Sequence, residues 1–476
     1  MEILSEIINK RKQLLNEKGH CQGEPVPETR EIPVLPFPQG DGLICEIKRK
    51  SPSKKDINPG LDPIRIANEY VRNGVRSISV LTEPNYFGGS LSDLISVKKA
   101  NPNVAVLRKD FILDREDIDI AYRAGADAVL LIAAAHDTET LKDLYAYANG
   151  LGLSVLFEAH DREDLLKAKK IKPKLLGINT RDLQTFKIDP AAPFRLKSLV
   201  NWRCRLVYES GIHSGWQASF AASCGASALL IGESAVKAPE LINEIRTGFC
   251  SPIKSDFWHK LYGRSFRRPL IKICGTTIPE DAKKADKLGA DIIGFIFARS
   301  KRRISADDMY KMPKLKALKA GIIVLENGKG PEPEILELVD KGKLDVLQIH
   351  GDISEALPYS IPFYQTLAVK DETSLAKIKS SFAPRLLIDA YSPDLHGGTG
   401  KKIDETLVKR ANGLTTLWLA GGLNPENING IVRKYRPEMI DAVSGLESSP
   451  GRKDHELMER YFQQIRLATE KKHEMA

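Results

Sequence analysis

The sequence predicts an α/β fold of two (β/α)8 TIM barrels in tandem, from its length, its alternating pattern and its strand ends. The chain has 476 residues, and one such barrel takes about 250 residues. Short apolar segments alternate with helical patterns throughout, which is typical of parallel βαβ units. Eight apolar segments of this kind occur in each half, and several of them end in charged or glycine-rich residues.

The first half contains eight segments with the length and composition of buried parallel strands. They are Leu43–Lys48, Ser77–Leu81, Val104–Lys109, Ala128–Ala133, Leu153–Glu158, Leu175–Asn179, Leu206–Glu209 and Ala228–Gly232. In residues 123–132 and 223–232 a glycine ends the preceding helix, and a two-residue turn enters the strand. An open doubly wound sheet uses similar turns, so the count of eight is what favours a closed barrel.

The second half repeats this pattern. Its predicted strands are Leu270–Cys274, Ile292–Phe297, Ala320–Leu325, Val346–His350, Phe363–Ala368, Leu386–Asp389, Leu417–Ala420 and Ile440–Val443. The periodicity breaks within Gly248–Arg268. We therefore predict one barrel in residues 1–254 and a second in residues 255–476.

Composition and charge narrow the class of protein. Hydrophobic residues make up 42% and charged residues 28%, which argues against disorder. The formal net charge is +9, but Lys and Arg are dispersed and no nucleic-acid recognition motif is present. The basic segments after strands, at residues 48–55 and 301–303, favour small anionic substrates over a nucleic-acid partner.

Cysteine use and hydropathy predict a cytoplasmic protein. The six cysteines form neither a CxxC pair nor a zinc-binding spacing, so we expect reduced thiols. Residues 1–12 form an amphipathic helix without the apolar core of a signal peptide. No apolar segment is long enough to span a membrane. We also expect the protein to be a monomer.

Polar residues end most of the predicted strands of the first half. They are Glu46 and Lys48, Lys109, Glu158, Asn179 with Arg181, and Glu209 with Ser210. The carboxyl ends of barrel strands meet at one mouth, where TIM-barrel active sites lie. Buried Lys and Glu are rare unless paired. A structural ion pair would explain any one of them, but the whole set predicts an active site.

Glycine turns after the last two strands of each half predict two phosphate sites. Backbone N–H groups in such turns, and the helix that follows strand 8, favour an anion. The turns are Ser210–Gly211 and Gly232–Ser234 in the first half, and Gly421–Gly422 and Ser444–Gly445 in the second half.

A thiol and a carboxylate end two strands of the second half. Cys274 ends strand 1 and Asp389 ends strand 6, so they could act as a base and an acid. A cysteine in this position is more often a buried apolar-like thiol. Arg302, in the loop after strand 2, either binds an anion or is simply solvated.

The motifs of the first half resemble those of the indole-3-glycerol-phosphate synthase family, over nearly all of that half. They are Glu46-Ile-Lys48 with Ser51-Pro-Ser53, Leu81-Thr-Glu83 with Phe87–Leu91, Lys109-Asp-Phe111, Phe157-Glu158-Ala159, Gly177-Ile-Asn179-Thr-Arg181-Asp-Leu183 and Glu209-Ser210-Gly211. The resemblance implies that Lys109 is a general acid for ring closure and that Glu158 transfers a proton during dehydration. It also implies that Lys48 binds the anthranilate carboxylate and can share in acid catalysis.

The same resemblance implies roles for the residues around these three. Glu46, Asn179 and Arg181 would position groups of the substrate. Its phosphate side would be contacted by Ser51, Ser210, Gly211, Gly232 and Glu233.

The second half resembles phosphoribosylanthranilate isomerase, and the same domain order is known from bifunctional members of this pair. The motifs are Lys272-Ile-Cys274-Gly275, Gly294–Phe297, Ser300-Lys-Arg302, Leu347–Gly351, Leu387-Ile-Asp389, His396–Lys401 and Ala420–Asn427. The family usually shows Asn at the position of Leu325 and a second Ser at that of Val443.

The resemblance implies an Amadori rearrangement of N-(5-phosphoribosyl)anthranilate in this half. Asp389 would protonate the ring oxygen and Cys274 would take the C2 proton, with its pKa lowered by a nearby cation. Arg302 would orient the substrate, while Gly421, Gly422, Ser444 and Gly445 hold its phosphate. Neither family reaction needs a metal or an organic cofactor, so we expect none.

Three other classes remain as alternatives. A sugar-phosphate isomerase of histidine biosynthesis would carry paired aspartates on strands 1 and 5, whereas strand 1 here carries Glu46 with Lys48, or Cys274. A second half that only binds or regulates would not need Cys274, Asp389 and Arg302 together. A basic nucleic-acid binder would be retained on DNA in a salt-dependent way.

Overall fold

The computed structural model describes residues 2–52, 56–182, 185–263, 268–326, 329–351, 353, 357–358, 360–390 and 405–470. Ser53, Lys54, Lys55, Leu183 and the 396–401 motif lie outside the described residues. The chain divides into two compact units, residues 1–252 and 253–476.

The described part of the first unit contains a closed barrel of eight parallel strands. Each strand pairs with the next along the chain, and the eighth pairs with the first. The strands are β1 (Leu43–Ile47), β2 (Ser77–Leu81), β3 (Ala105–Lys109), β4 (Ala128–Ile132), β5 (Ser154–Ala159), β6 (Leu175–Asn179), β7 (Arg205–Glu209) and β8 (Ala228–Ile231).

Helices follow the strands of this barrel, and one precedes them. They are α1 (Glu2–Lys18), α2 (Pro63–Arg72), α3 (Leu91–Ala100), α4 (Arg115–Arg123), α5 (Thr138–Gly150), α6 (Arg162–Ile171), α7 (Ala192–Lys197), α8 (Gly215–Ser223), α9 (Glu233–Lys237) and α10 (Leu241–Phe249). Side-chain caps begin many of them. Asp161, for example, accepts the backbone N–H of Asp164 at the start of α6, which satisfies a donor that the helix leaves unpaired.

The described part of the second unit contains a second closed parallel barrel and a short antiparallel hairpin. Its strands are β9 (Leu270–Cys274), β10 (Ile292–Ile296), β11 (Leu318–Leu325), β12 (Val346–Gly351), β13 (Phe363–Val369), β14 (Leu386–Ala390), β15 (Trp418–Ala420) and β16 (Met439–Ala442), with β17 (Glu447–Ser449) and β18 (Arg452–Lys453) in the hairpin. Its helices are α11 (Phe257–Tyr262), α12 (Pro279–Leu288), α13 (Ala306–Lys311), α14 (Pro333–Asp340), α15 (Glu372–Ser380), α16 (Glu405–Leu414), α17 (Ile428–Tyr435) and α18 (His455–Glu470).

The two barrels confirm the predicted fold class, and each of the sixteen predicted strands is present. The bounds differ by at most two residues, as in β11, which begins at Leu318 instead of Ala320. Short buried strands between helices were predictable because their apolar segments are bounded by turns. Among the described residues, no helix combines the length and hydropathy needed to cross a membrane.

An ion cluster at the amino end of β4 lies opposite the mouth of the first barrel. Asp127 is fully buried. Its carboxylate accepts hydrogen bonds from Lys98 Nζ at 2.7 Å and Arg30 Nη2 at 2.8 Å. It also accepts the backbone N–H groups of Leu35 and Val106. Residues at this end of a barrel serve stability.

We predict that Asp127→Ala lowers the free energy of unfolding of the first unit by about 3–5 kcal/mol, because two buried cations lose their partner. Urea denaturation would measure this loss. The matched control is Asp143→Ala, since Asp143 is half exposed and pairs with Arg115 on the surface, where ion pairs contribute little. Equal effects of the two substitutions would contradict the prediction.

Candidate active sites

A cavity opens at the carboxyl ends of the strands of the first barrel. All predicted site residues of this half line it, namely Glu46, Lys48, Ser51, Lys109, Glu158, Asn179, Arg181, Ser210, Gly211, Gly232 and Glu233. Apolar side chains from α1 line it as well, namely Ile3, Leu4 and Ile7. The cavity therefore combines charged groups with an apolar wall.

Lys109 lies at the centre of the charged groups. Its Nζ donates to Glu158 Oε2 at 2.9 Å and to Glu209 Oε2 at 2.6 Å. The three side chains come from β3, β5 and β7, and Glu46 comes from β1. Alternate strands of a barrel contribute to the same layer of side chains, which explains why residues so distant in sequence meet.

The charges in this cluster shift the pKa values of its members. Burial favours the neutral lysine, but Glu158, Glu209 and Glu46 outweigh it and raise the pKa of Lys109. Burial likewise disfavours the Glu158 carboxylate, yet Lys109 and His160 hold its pKa well below the usual range. Burial and the negative charge of Glu158 raise the pKa of Glu209 to about 8, against the opposing effect of Lys109. Neighbouring carboxyl groups whose pKa values shift in opposite directions suit proton transfer.

Lys48 and Glu46 form a second pair at the end of β1. Lys48 Nζ lies 2.7 Å from Glu46 Oε1. A Cβ atom on Gly232 would lie 2.6 Å from Lys48 Nζ and 2.8 Å from Glu46 Oε1. A larger residue at position 232 would therefore displace this pair, so the turn after β8 affects the position of both side chains.

Asn179 joins the acidic cluster to the turn after β7. Its Nδ2 donates to Glu158 Oε1 at 3.3 Å, and its Oδ1 accepts the Ser210 hydroxyl at 2.9 Å. Ser210 and Gly211 both have positive φ, +72° and +76°, a conformation that is costly for Ser. Arg181 lines the same cavity, and burial lowers its pKa.

Two residues that contact the proposed catalytic groups received no individual role from the sequence. Glu209 was recognisable only as one of several polar strand ends. His160 follows Glu158 by two residues, and no local sequence signal distinguishes it from an ordinary loop histidine. In the structure its Nε2 lies 3.1 Å from Glu158 Oε1 and its Nδ1 lies 3.5 Å from Asp164 Oδ2. Burial lowers the pKa of His160, but these two carboxylates outweigh burial and raise it to about 10.

The second barrel has a cavity at the same end. The predicted residues of this half all line it, namely Cys274, Arg302, Asp389, Gly421, Gly422, Ser444 and Gly445. Gln348, His350 and Asp441 line it too, although they were not predicted as site residues. Gly421 and Gly422 have φ of +100° and +62°, so this turn needs residues without a side chain.

Cys274 lies at the end of β9 beside a buried ion pair. Lys272 Nζ donates to Asp441 Oδ2 at 2.6 Å, and a Cβ atom on Gly294 would lie 2.6 Å from Cys274 Sγ. Burial raises the pKa of Cys274, while Lys272 acts in the opposite direction. The prediction that a nearby cation lowers the pKa of Cys274 is therefore wrong. Lys272 is such a cation, but the effect of burial is larger.

Asp389 and Arg302 reach the same cavity from other strands. Asp389 lies in β14 and is 7% exposed. Arg302 follows β10, and its guanidinium forms an ion pair with Glu447 at 2.7 Å. From the sequence, we expected an anionic ligand or solvent as the partner of Arg302 and did not foresee Glu447. This residue lies in a hairpin 145 residues further along the chain.

One group of side chains has the spacing to hold a metal ion among the residues that the structure describes. It consists of His20, Asp114 and Asp117. Asp117 already pairs with Arg11 at 2.7 Å, and His20 Nε2 lies 2.9 Å from Asp114 Oδ2. None of the three lines either of the cavities described above.

The fold and the two cavities define a class: a tandem (β/α)8 enzyme with acid–base residues and glycine turns at each mouth. Residues 30–247 match the family model described as indole-3-glycerol phosphate synthase. Residues 271–464 match that of N-(5'-phosphoribosyl)anthranilate isomerase. The chain therefore belongs to the indole-3-glycerol phosphate synthase family, and it carries a phosphoribosylanthranilate isomerase domain after the synthase domain.

Similar proteins agree with this assignment. An indole-3-glycerol phosphate synthase of Exiguobacterium sibiricum is 42% identical over 50% of this chain and 93% of its own length. The tryptophan biosynthesis protein TrpCF of Vibrio cholerae is 29% identical over 98% of this chain and 96% of its own. A multifunctional tryptophan biosynthesis protein of Schizosaccharomyces pombe is 31% identical over 89% of this chain. The chain spans 59% of the length of that relative.

We predict that His160 stays protonated at pH 8, because Glu158 and Asp164 flank its ring and raise its pKa to about 10. The imidazole 15N chemical shifts, assigned by comparison with His160→Gln, should be those of an imidazolium. His136 is the control, since burial lowers its pKa and it should be neutral at the same pH. Titration of His160 near an ordinary value would contradict the prediction.

Proposed function

We propose that this chain catalyses two consecutive steps of tryptophan biosynthesis. The second barrel isomerises N-(5-phosphoribosyl)anthranilate to 1-(2-carboxyphenylamino)-1-deoxyribulose 5-phosphate. The first barrel converts that product to indole-3-glycerol phosphate. One observation carries the proposal: each mouth combines proton-transfer groups with glycine turns after its last two strands, in the domain order of the two family matches.

In the second barrel, Asp389 donates a proton to the ring oxygen of the ribose as the bond from C1 to that oxygen breaks. Cys274 then takes the proton from C2, and the resulting enolamine tautomerises to the ketose. The thiol must first lose its own proton. The Lys272 ammonium favours the thiolate, and burial makes that thiolate a strong base. Arg302 orients the substrate, and the turns at Gly421–Gly422 and Ser444–Gly445 hold its phosphate.

In the first barrel, Lys109 donates a proton to the carbonyl oxygen of the ketose. The aromatic carbon that carries the carboxylate attacks that carbonyl carbon, and the ring closes. CO2 then leaves this aromatic carbon, and loss of water completes the indole. Glu158 takes the proton for the dehydration, because the charges around it keep it ionised.

Other residues of the first mouth hold the substrate. Lys48 binds the anthranilate carboxylate and can share in acid catalysis, while Glu46, Asn179 and Arg181 position the reacting groups. The phosphate side is contacted by Ser51, Ser210, Gly211, Gly232 and Glu233, which all line the same cavity.

The proposal extends to the domain bounds, the cofactors and the partners. The synthase domain comprises residues 1–254 and the isomerase domain residues 255–476. Proton transfers balance both reactions without an external electron acceptor, so neither a metal nor an organic cofactor is required. We propose a cytoplasmic monomer whose partners are small phosphorylated anthranilate-sugar substrates, without a nucleic-acid partner.

We predict that removal of the Lys109 ammonium or of the Cys274 thiol stops the two consecutive reactions at different compounds. Lys109→Ala should accumulate the ketose, because ring closure loses its acid. Cys274→Ala should leave phosphoribosylanthranilate unused. Each affected step should slow by about 100-fold or more, the scale of general acid–base catalysis. Chromatography of reactions supplied with phosphoribosylanthranilate would measure both effects.

The exposed residues Lys142 and Cys250 provide matched controls. Lys142→Ala and Cys250→Ala should turn over at the rate of the unsubstituted chain. If the unsubstituted chain used only the ketose and left phosphoribosylanthranilate untouched, the alternative would hold: a synthase with an impaired or purely binding second barrel.

A further inference from the structure

The guanidinium of Arg302 is held by a carboxylate from a separate element of the second barrel. Arg302 follows β10, whereas Glu447 begins β17, which comes after β16. Arg302 Nε donates to Glu447 Oε1 at 2.9 Å and Oε2 at 3.0 Å, and Nη2 donates to Oε2 at 2.7 Å. The Arg302 side chain is 14% exposed and that of Glu447 4% exposed. Arg302 lines the cavity, and Glu447 is almost completely buried beside it.

The Glu447 carboxylate also accepts a hydrogen bond from Lys453. Lys453 Nζ donates to Glu447 Oε1 at 3.1 Å and to the Val443 carbonyl oxygen at 3.0 Å. Its side chain has no exposed surface. Val443 directly precedes Ser444 and Gly445, the residues proposed to bind phosphate. One buried ammonium group thus contacts both the partner of Arg302 and the start of the phosphate turn.

The hairpin that carries both residues is anchored to the barrel. Its strands β17 and β18 pair antiparallel, and the Gly451 N–H between them donates to Glu447 Oε1 at 3.2 Å. Thr277 Oγ1 donates to the Gly451 carbonyl, and the Lys453 N–H donates to Asp281 Oδ2 at 2.9 Å. The Gly451 N–H thus holds the Glu447 carboxylate directly, and contacts with the segment after β9 hold the hairpin itself.

The arrangement of charge favours one orientation of Arg302. Burial disfavours the Glu447 carboxylate, but Arg302 and Lys453 outweigh burial and lower its pKa, so the carboxylate stays ionised. Burial lowers the pKa of Lys453 against the opposing effect of Glu447. Of these three groups Arg302 is the one that lines the cavity, where it presents its positive charge to a ligand. Among the hydrogen bonds of the described residues, Glu447 uses Nε and Nη2 of Arg302, which leaves Nη1 for that ligand. A guanidinium offers its donors in a rigid plane, so fixing one edge orients the other.

We propose that Glu447 and Lys453 are positioning residues of the second active site. Glu447 sets the direction of the Arg302 guanidinium. Lys453 fixes the position of Glu447 relative to the phosphate turn at Val443–Gly445, because it binds both. Together they fix the separation between the two places where an anionic substrate is held. This inference rests on the proposed isomerase function, in which Arg302 orients phosphoribosylanthranilate.

The test is steady-state isomerase kinetics on Glu447→Gln in the full chain. The carboxamide keeps the shape but loses the charge and one acceptor oxygen. We expect KM for phosphoribosylanthranilate to rise about tenfold, the scale of one hydrogen bond to a charged group, and kcat to change less than about threefold, because Cys274 and Asp389 are untouched. Lys453→Met should act in the same direction. Glu337→Gln, at an exposed glutamate paired with Lys341, should leave KM unchanged.

A double-mutant cycle separates positioning from a structural role. In an Arg302→Lys background the guanidinium fork is absent, so Glu447→Gln should change kcat/KM by less than about twofold. An unchanged KM in Glu447→Gln, or an equally large effect in the Arg302→Lys background, would overturn the inference while the isomerase function stands. An unsubstituted chain without isomerase activity would instead overturn the proposed function before any variant is compared.

Discussion

Both sites depend on the closure of eight parallel strands into a ring, because closure brings residues that are far apart in sequence to one rim. Lys109, Glu158 and Glu209 come from β3, β5 and β7, yet Lys109 Nζ lies within 2.9 Å of both carboxylates. The two glutamates are 49 and 100 positions apart from Lys109 in sequence, so only closure of the barrel brings the three together. The barrel therefore provides the geometry, and the residue at each strand end determines the chemistry.

The proposed proton-transfer groups of the two barrels have different electrostatic surroundings. In the first barrel, lysine and histidine cations surround the Glu158 carboxylate and keep it ionised. In the second barrel, the cation nearest to the thiol is already paired, since Lys272 contacts Asp441. Burial then dominates and raises the pKa of Cys274. A buried ion pair contributes less to its neighbours than an isolated cation would, because its two charges largely cancel.

Two glycines of the barrels leave space for functional side chains of the neighbouring strands. A Cβ atom on Gly177 would lie 2.0 Å from Glu209 Oε1, and one on Gly294 would lie 2.6 Å from Cys274 Sγ. Both glycines lie inside strands, where glycine weakens the sheet. They occur where a functional side chain of the neighbouring strand needs the space. Glycine makes the strand less stable, but it allows the reactive side chain of the neighbouring strand to occupy its position.

The amino-acid sequence was enough to predict the architecture and most of the candidate site residues. Alternating apolar and helical segments specify sixteen strands, and polar residues such as Lys109 and Asp389 stand out where an apolar strand ends. The interaction partners of these residues and the directions of their pKa shifts became apparent only in the folded chain. His160 joins Glu158, Glu447 orients Arg302 and burial outweighs Lys272 at Cys274. These effects depend on how the side chains are placed around one another and on the exclusion of water. A local pattern of residues encodes neither, even for His160 and Cys274, whose partners lie two residues away.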